Sequence, residues 1–259
     1  MRQLHTTQRL ACHTPHVAPC VRFLARRSHA ARSSSNGFRS SVVATVEPSG
    51  PTGGPHEIKT QLLSELEGLD RGIFGVPAAK KARILALIAE LEKHNTQTAP
   101  TANLETVAGD WRLLYSTITI TGAKRTKLGL REFVRLGEFT QHIDIANNLA
   151  VNRIEFSVSG LSAIRGSLTI RANYQVVSEQ RVGITYLDSA LTPAGLQKIF
   201  EANLDLLLSI FNPEGHLDIT YLDLDSDLDL EAEGAASGCW RVGRDNKGNV
   251  FLLARPRKH

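Results

Sequence analysis

Hydrophobic positions along the chain follow a helical period first and a strand period afterwards. Between residues 57 and 96, leucine and isoleucine recur at spacings of three and four, as in Ile58, Leu62 and Leu66. This spacing predicts a helical hairpin over residues 57–96, with Pro77 placed to open its second helix. A hairpin of this size cannot bury its own apolar stripes, so we expect it to pack on the C-terminal part of the chain.

From Gly109 onward the period becomes two, which indicates strands with one buried and one exposed face. Six to nine such strands with short connections predict a closed or nearly closed antiparallel barrel over residues 104–255, because closure removes exposed strand edges. One helix is predicted between late strands, begun by Thr192-Pro193 and ended at residues 212–215. We expect an overall fold that is mainly β.

A Gly-Asp-Trp tripeptide, Gly109 to Trp111, stands at the start of the first predicted strand. In lipocalin-like barrels a Gly-x-Trp at this place closes the barrel bottom, and the indole packs under a late arginine in a cation–π contact. Arg244 and Arg255, both near the final strand, are the candidate partners. The alternative is an ordinary core tryptophan, and in either case the role is structural.

The first 46 residues differ in composition from the rest. They contain seven arginines, no lysine and no acidic side chain. An arginine- and serine-rich, acid-free N-terminus is typical of an organelle transit peptide, and composition alone fits mitochondrion and chloroplast equally. We therefore expect residues 1–46 to be a transit peptide and the breaker-rich residues 47–56 to be a disordered linker. The alternative is an ordinary basic tail.

Charge and hydropathy narrow the function classes. Without residues 1–46 the chain has 23 basic and 26 acidic side chains, which removes the compositional argument for nucleic-acid binding. No run approaches the roughly 18–20 apolar residues that a membrane-spanning helix needs. Cys239 is the one cysteine outside the first 46 residues, so neither an internal disulfide nor a cysteine-rich zinc site is expected.

Motif searches give no catalytic or metal site. The acidic run over residues 223–233 fails as a calcium loop, because Leu228 occupies the glycine position and Gly234 the glutamate position. The histidines lack metal-ligand spacing, and neither a nucleophile elbow nor a phosphate-binding loop is present. We expect no enzyme, no metal and no cofactor. The acidic residues 224–239 are expected to form a flexible insertion.

A basic segment comes after the first strand. Residues 122–133 contain Lys124, Arg125, Lys127 and Arg131 among apolar neighbours. The segment is long enough to cover a barrel mouth, where it could hold an anionic headgroup or diphosphate, or dock on a membrane or partner. An ordinary basic surface loop is the alternative.

Several sequence blocks together resemble the plastid lipid-associated proteins, or plastid fibrillins, from about Glu57 to Arg255. The family-level blocks are Gly-Asp-Trp-Arg-Leu-Leu-Tyr-Ser-Thr (109–117), Gln-His-Ile-Asp (141–144) and Gly-Arg-Asp-Asn-Lys-Gly-Asn-Val-Phe (243–251). Within the family the chain is most similar to the fibrillin 5 group, through residues 69–76, 116–120, 124–131 and 210–215. The insertion at 224–239 departs from the short turn of the family.

The resemblance implies a lipocalin-like barrel, chloroplast residence, and association with plastoglobules, thylakoids or stroma. For the fibrillin 5 group it further implies a non-catalytic role in plastoquinone biosynthesis, with a solanesyl (long-chain prenyl) diphosphate synthase as partner and a hydrophobic prenyl or lipid ligand. Transfer of a prenyl chain out of water is favourable by about 0.8 kcal/mol of free energy for each CH₂ group. An apolar lumen could therefore bind the chain while Lys124, Arg125 or Lys127 holds the diphosphate.

The expected lumen-lining residues come from the inward faces of the alternating strands. They include Tyr115, Phe156, Tyr174 and Tyr186, which could equally be packed core. Two other functions remain open at this point. One is a structural coat or scaffold on a plastoglobule or thylakoid without an internal ligand. The other is an enzyme that uses an unrecognised arrangement such as Asp144 with Arg244.

Overall fold

The computed structural model describes residues 53–119, 134–158, 164–194, 214–223 and 239–255. Two helices come first, α1 (Pro55–Leu66) and α2 (Ala78–Lys93). Proline at the first position of α1 suits a helix start, because that position needs no backbone N–H donor. The helical period in the sequence therefore corresponds to a real helix pair.

A short 3-10 helix (Leu104–Thr106) and eight strands come next. The strands are β1 (Gly109–Ser116), β2 (Val134–Asp144), β3 (Leu149–Val158), β4 (Ile164–Val176), β5 (Arg181–Thr192), β6 (Gly215–Leu222), β7 (Trp240–Asp245) and β8 (Val250–Ala254). Each strand pairs antiparallel with the next, and β8 returns to pair with β1, so the sheet is a closed barrel. The predicted mainly β, lipocalin-like fold with an N-terminal helix pair is confirmed.

Strand pairing around the barrel is uneven. The β1–β2 ladder covers only Gly109–Arg112, and the β5–β6 ladder covers only Arg181–Ile184. The four strands β2 to β5 pair with one another over much longer stretches. They extend beyond the rest of the barrel at its upper end, which we define as the end where β1 finishes and β2 begins.

The lower end of the barrel, where β1 begins, is closed by the 3-10 helix. Leu104 of this helix packs against the small cluster formed by Ala150, Tyr174 and Val182. The chain then turns into β1 through Gly109, whose φ of 89° lies in the left-handed region that favours glycine.

The helix pair covers the outer face of β6, β7, β8 and the end of β1. Residues from both helices and these strands form one apolar cluster: Ile58, Leu62, Ile84, Leu87, Ile88, Leu91, Tyr115, Tyr221, Trp240, Val242, Val250, Leu252 and Ala254. Two ion pairs cross the same interface. Lys59 on α1 pairs with Asp223 after β6, and Glu92 on α2 pairs with Arg244 on β7. The expectation that the hairpin packs on the barrel is met by these contacts.

The loop between the helices enters the barrel core. Ile73 is fully buried in the interior cluster and Phe74 packs against it. The loop is fixed to the end of β1, because the Ser116 amide donates to the Arg71 carbonyl at 2.9 Å. Gly72 has a φ of 80°, and a Cβ there would lie 2.5 Å from the Ser116 carbonyl oxygen, so only glycine fits.

Several of the sequence-based predictions fall on residues outside the described ranges. The transit peptide (1–46) and residues 47–52 of the linker are among them, whereas the last two linker residues, 55 and 56, belong to α1. Three others lie within the C-terminal part of the chain. These are the basic segment 122–133, most of the helix expected after Thr192, and the acidic insertion at 224–239. None of the helices that the structure describes is long and apolar enough to cross a membrane.

Candidate functional site

The barrel interior is almost completely filled by side chains. Trp111, Phe139 and Phe156 form its core together with aliphatic residues from the surrounding strands. The interior cavity that the described residues line measures about 50 Å³, whereas sites for drug-sized ligands measure about 300–1,000 Å³. A cavity of this size has no room for a long prenyl chain, which favours the packed-core alternative for the predicted lining residues.

Tyr115, one of the expected lining residues, lies on the outside of the barrel, so that prediction is wrong. Trp111 and Leu113 point inward, and strict alternation would place Tyr115 inward as well. However, the β1–β8 register shifts between Leu113 and Tyr115, which is the mark of a β-bulge. The bulge moves Tyr115 to the outer face, where it packs beneath the helix pair.

The other three predicted lining residues lie apart from one another. Phe156 belongs to the interior core and also reaches the upper end. Tyr174 belongs to the lower-end cluster. Tyr186 is half-buried against the interior core, and its hydroxyl lies 3.0 Å from Ser189 Oγ. The structure does not bring these aromatic residues together around one ligand-sized space.

Trp111 closes the barrel bottom between two arginines. Its indole N–H donates to the Val107 carbonyl at 2.9 Å, and the ring is fully buried. The Arg255 guanidinium lies 4.4 Å from the ring centre, and the Arg241 guanidinium lies 4.5 Å from it. Arg255 also donates to the carbonyls of Thr106 and Ala108, at 2.9 and 2.7 Å. These contacts hold the 3-10 helix under the barrel.

Arg244, the other candidate partner of Trp111, has a different role. It points outward and forms a two-pronged ion pair with Glu92, with N–O distances of 2.8 and 2.7 Å. The hydrogen bond with Glu92 raises the pKa of Arg244. Arg244 therefore ties α2 to β7 and does not take part in closing the barrel bottom.

Arg241 is the residue that sequence analysis missed. It lies between Trp240 and Val242, both of which face the helix pair, so alternation alone places it inward. Burial, with a smaller contribution from the charge of Arg255, lowers the pKa of Arg241 to about 9. The signal in the sequence is a positively charged residue at an inward strand position, which conflicts with an apolar core.

An open cavity of about 540 Å³ lies at the upper end of the barrel. Arg135, Arg153 and Arg165 line it, together with Phe156 and a single acidic residue, Glu155. Arg135 and Arg165 are both register partners of the same residue on β3, so the three strands bring them into one row. On β3 this face is opposite to the one that carries Phe156 into the core, so the arginines form a positively charged row on the outer face at the upper end, which we call the upper mouth.

The arrangement proposed for an unrecognised enzyme does not form. Asp144 accepts hydrogen bonds from the side chain and backbone of Asn147, which lower the pKa of Asp144, whereas Arg244 is paired with Glu92. Among the residues that the structure describes, no group of three or more His, Cys, Asp or Glu could hold a metal ion.

Comparison with known proteins gives the family. The family model PAP_fibrillin matches residues 56–254, which includes both helices and the complete barrel. Among similar proteins is the chromoplast-specific carotenoid-associated protein C2 of an Oncidium hybrid cultivar, 29% identical over 58% of this chain and 49% of its own length. Another is the plastid-lipid-associated protein of Citrus unshiu, 29% identical over 52% of this chain and 40% of its own length.

A third relative is plastid-lipid-associated protein 6 of Arabidopsis thaliana, 26% identical over 64% of this chain and 63% of its own length. The chain thus spans about half, and at most 63%, of the length of these three relatives. The match to the family model, however, extends over most of the chain and over every described strand. The chain therefore belongs to the PAP_fibrillin family, the plastid lipid-associated proteins.

Proposed function

We propose that this protein is a non-catalytic, lipid-associated protein of the plastid that acts at an anionic lipid surface and does not carry a lipid chain in its lumen. The observation that carries the proposal is the contrast between the two spaces in the barrel. The lumen cavity measures about 50 Å³, and the arginine-lined upper mouth about 540 Å³. Plastid residence is proposed from the names of the relatives, which are chloroplastic or chromoplastic.

Charge at the upper mouth supports contact with an anionic surface. Arg153 forms an ion pair with Glu155 at 3.4 Å, while Arg135 and Arg165 are exposed and have no carboxylate within 4 Å in the described part of the chain. Each arginine near an anionic membrane contributes about 1 kcal/mol of attraction.

The predicted partnership with a solanesyl diphosphate synthase is part of the same proposal. Its support is the resemblance to the fibrillin 5 group, in which residues 69–76 are one of the matching blocks. In the structure this block is the loop that inserts Ile73 and Phe74 into the barrel core. The filled lumen implies that the synthase product would pass to a lipid surface that the protein contacts, without entering the barrel.

Vesicle flotation tests the proposal. The chain is expected to float with vesicles that contain phosphatidylglycerol and to stay at the bottom with uncharged vesicles. Changing Arg135, Arg153 and Arg165 together to glutamine is expected to reduce binding by on the order of 100-fold, since roughly 1 kcal/mol is lost for each of the three charges. The matched control changes Arg83 and Arg171, exposed arginines outside the upper mouth, and is expected to bind like the unmodified chain.

A second arm of the same gradient adds a long-chain prenyl diphosphate synthase. The synthase is expected to float only when the chain is present. Changing Lys124, Arg125 and Lys127 to alanine tests whether the basic segment provides that contact. Equal flotation with charged and uncharged vesicles would contradict the role proposed for the upper mouth. Unchanged flotation of the variant with Arg135, Arg153 and Arg165 changed to glutamine would contradict it as well.

A further inference from the structure

Arg241 is a buried cation that has no acidic partner among the described residues. Its side chain is 2% exposed, and no carboxylate of the described residues lies within 4 Å of its guanidinium. One guanidinium nitrogen donates to Gln141 Oε1, whereas Nε has no acceptor. The second cation of the same site, Arg255, also lies against the Trp111 ring and adds positive charge.

An uncompensated charge in a protein interior is costly. Moving an ionised group out of water is unfavourable unless an opposite charge and hydrogen bonds replace its hydration shell. The Trp111 ring and the Gln141 amide oxygen supply part of that replacement. Even with the lowered pKa of about 9, Arg241 remains protonated at neutral pH, so the charge is not removed by titration.

The lumen cavity lies beside this cation. Its wall includes Arg241 together with the polar side chains of Gln141, Asn152, His216 and Asp245. The Asp245 carboxylate is engaged in the turn between β7 and β8, where it accepts hydrogen bonds from the backbone of Lys247 and Asn249 and from the Asn249 amide. The amide of Asn152 and the ring of His216 can donate hydrogen bonds into the cavity.

The volume of the cavity limits what it can hold. A single water needs about 10–15 Å³ of such space, so about 50 Å³ admits a halide or the head of a carboxylate. The remaining wall is apolar, formed by residues such as Leu113, Ala172 and Leu253. A pocket of this size, with polar groups on one wall of an apolar lumen, can hold one compact ion and is too small for a lipid chain.

We propose that the cavity beside Arg241 is a binding site for a small monovalent anion, either a halide or a carboxylate group. The guanidinium supplies the opposite charge and directional donors, and the carboxamide and imidazole side chains complete the hydrogen bonding. The site lies in the barrel interior, away from the arginine-lined upper mouth. Its existence is therefore independent of the proposed lipid-surface function.

Bromide provides a direct test. Crystals of the full chain are soaked in bromide, with chloride at equal ionic strength as the control, because chloride lacks the anomalous signal of bromide. We expect an anomalous diffraction peak in the lumen within about 3.5 Å of the Arg241 guanidinium, a charge-assisted contact distance stretched for a large ion. Bromide found only on the outer surface would overturn the proposal.

A solution measurement keeps the test independent of crystals. Bromide, chloride and formate at constant ionic strength are expected to raise the Tm with the logarithm of their concentration above Kd, by roughly 5 °C at 100 times Kd, because an anion that binds only the folded chain stabilises it. The Arg241→Met variant, which retains packing on Trp111 without the charge, is expected to lose this response. A variant that folds and still shows the same rise in Tm with these anions would overturn the proposal.

Competition identifies the source of a bound carboxylate. Displacement of bromide by formate or acetate supports a site for small free anions. Displacement by palmitate would also support an anion site at Arg241, but would contradict the claim that no lipid chain enters the lumen. The two proposals can therefore fail separately.

Discussion

Replacing Trp111 by alanine is expected to destabilise the barrel by about 4 kcal/mol. Removal of a fully buried aromatic side chain from a packed core costs about 3–5 kcal/mol, because the cavity does not close. The change also leaves Arg241 and Arg255 without the ring that both contact and the Val107 carbonyl without its donor. Urea unfolding of the variant measures the loss of unfolding free energy.

Two control variants separate the causes of this loss. Trp111→Phe keeps a ring beside the arginines but removes the indole N–H, so we expect a smaller loss of about 1–2 kcal/mol. Leu187→Ala removes an apolar side chain that is 45% exposed, and should change the unfolding free energy by no more than about 0.5 kcal/mol. Equal losses in Trp111→Ala and Leu187→Ala would show that Trp111 does not anchor the barrel bottom.

Replacing Lys59 by methionine is expected to cost about 3 kcal/mol. Lys59 is 1% exposed, lies over the Trp240 ring and forms an ion pair with Asp223 between α1 and the end of β6. Removing one partner of a buried ion pair leaves the other charge poorly solvated, which typically costs about 3–5 kcal/mol. We take the lower value because the Asp223 side chain is 14% exposed.

The double variant Lys59→Met with Asp223→Asn tests this reason. The double variant removes both charges, so its unfolding free energy should return most of the way to that of the unmodified chain. If the single variant loses stability only through lost packing, the double variant should be equally destabilised. The exposed Arg83–Glu65 pair between the two helices is the matched control. Arg83→Met is expected to leave the urea midpoint nearly unchanged, since ion pairs in water contribute little.

The fold could be predicted from the sequence because alternation is a strong signal in barrel strands. Residues 168–176 alternate without interruption, and Leu168, Ile170 and Ala172 are all buried in the structure. The same rule failed at Tyr115, because a β-bulge after Leu113 adds one residue and exchanges the two faces. A bulge depends on pairing with β8, so β1 alone does not reveal it.

The filled lumen could not be predicted because it depends on contacts between distant segments. Ile73 and Phe74 belong to a loop between helices and carry no strand signal, yet they complete the barrel core. Gly72 permits this insertion through its positive φ and the close Ser116 carbonyl. The inward position of Arg241 can be inferred from alternation, but only the three-dimensional arrangement shows that no carboxylate of the described residues pairs with it.

A filled barrel changes the physical picture of lipid handling in this chain. The apolar side chains of the lumen gain their stabilisation from one another, so a lipid would have to displace packed core to enter. The upper mouth requires no such displacement, because its cavity of about 540 Å³ is already open. Lipid contact at the mouth therefore costs the fold less than lipid uptake into the lumen.

Uptake of a prenyl chain in solution tests the central claim most directly. The full chain is incubated with radiolabelled solanesyl diphosphate below its micelle concentration, without vesicles, and separated by size-exclusion chromatography. A filled lumen predicts no stoichiometric complex, and the label should transfer to anionic vesicles when they are added. A stable soluble complex with one prenyl chain per protein would contradict the claim.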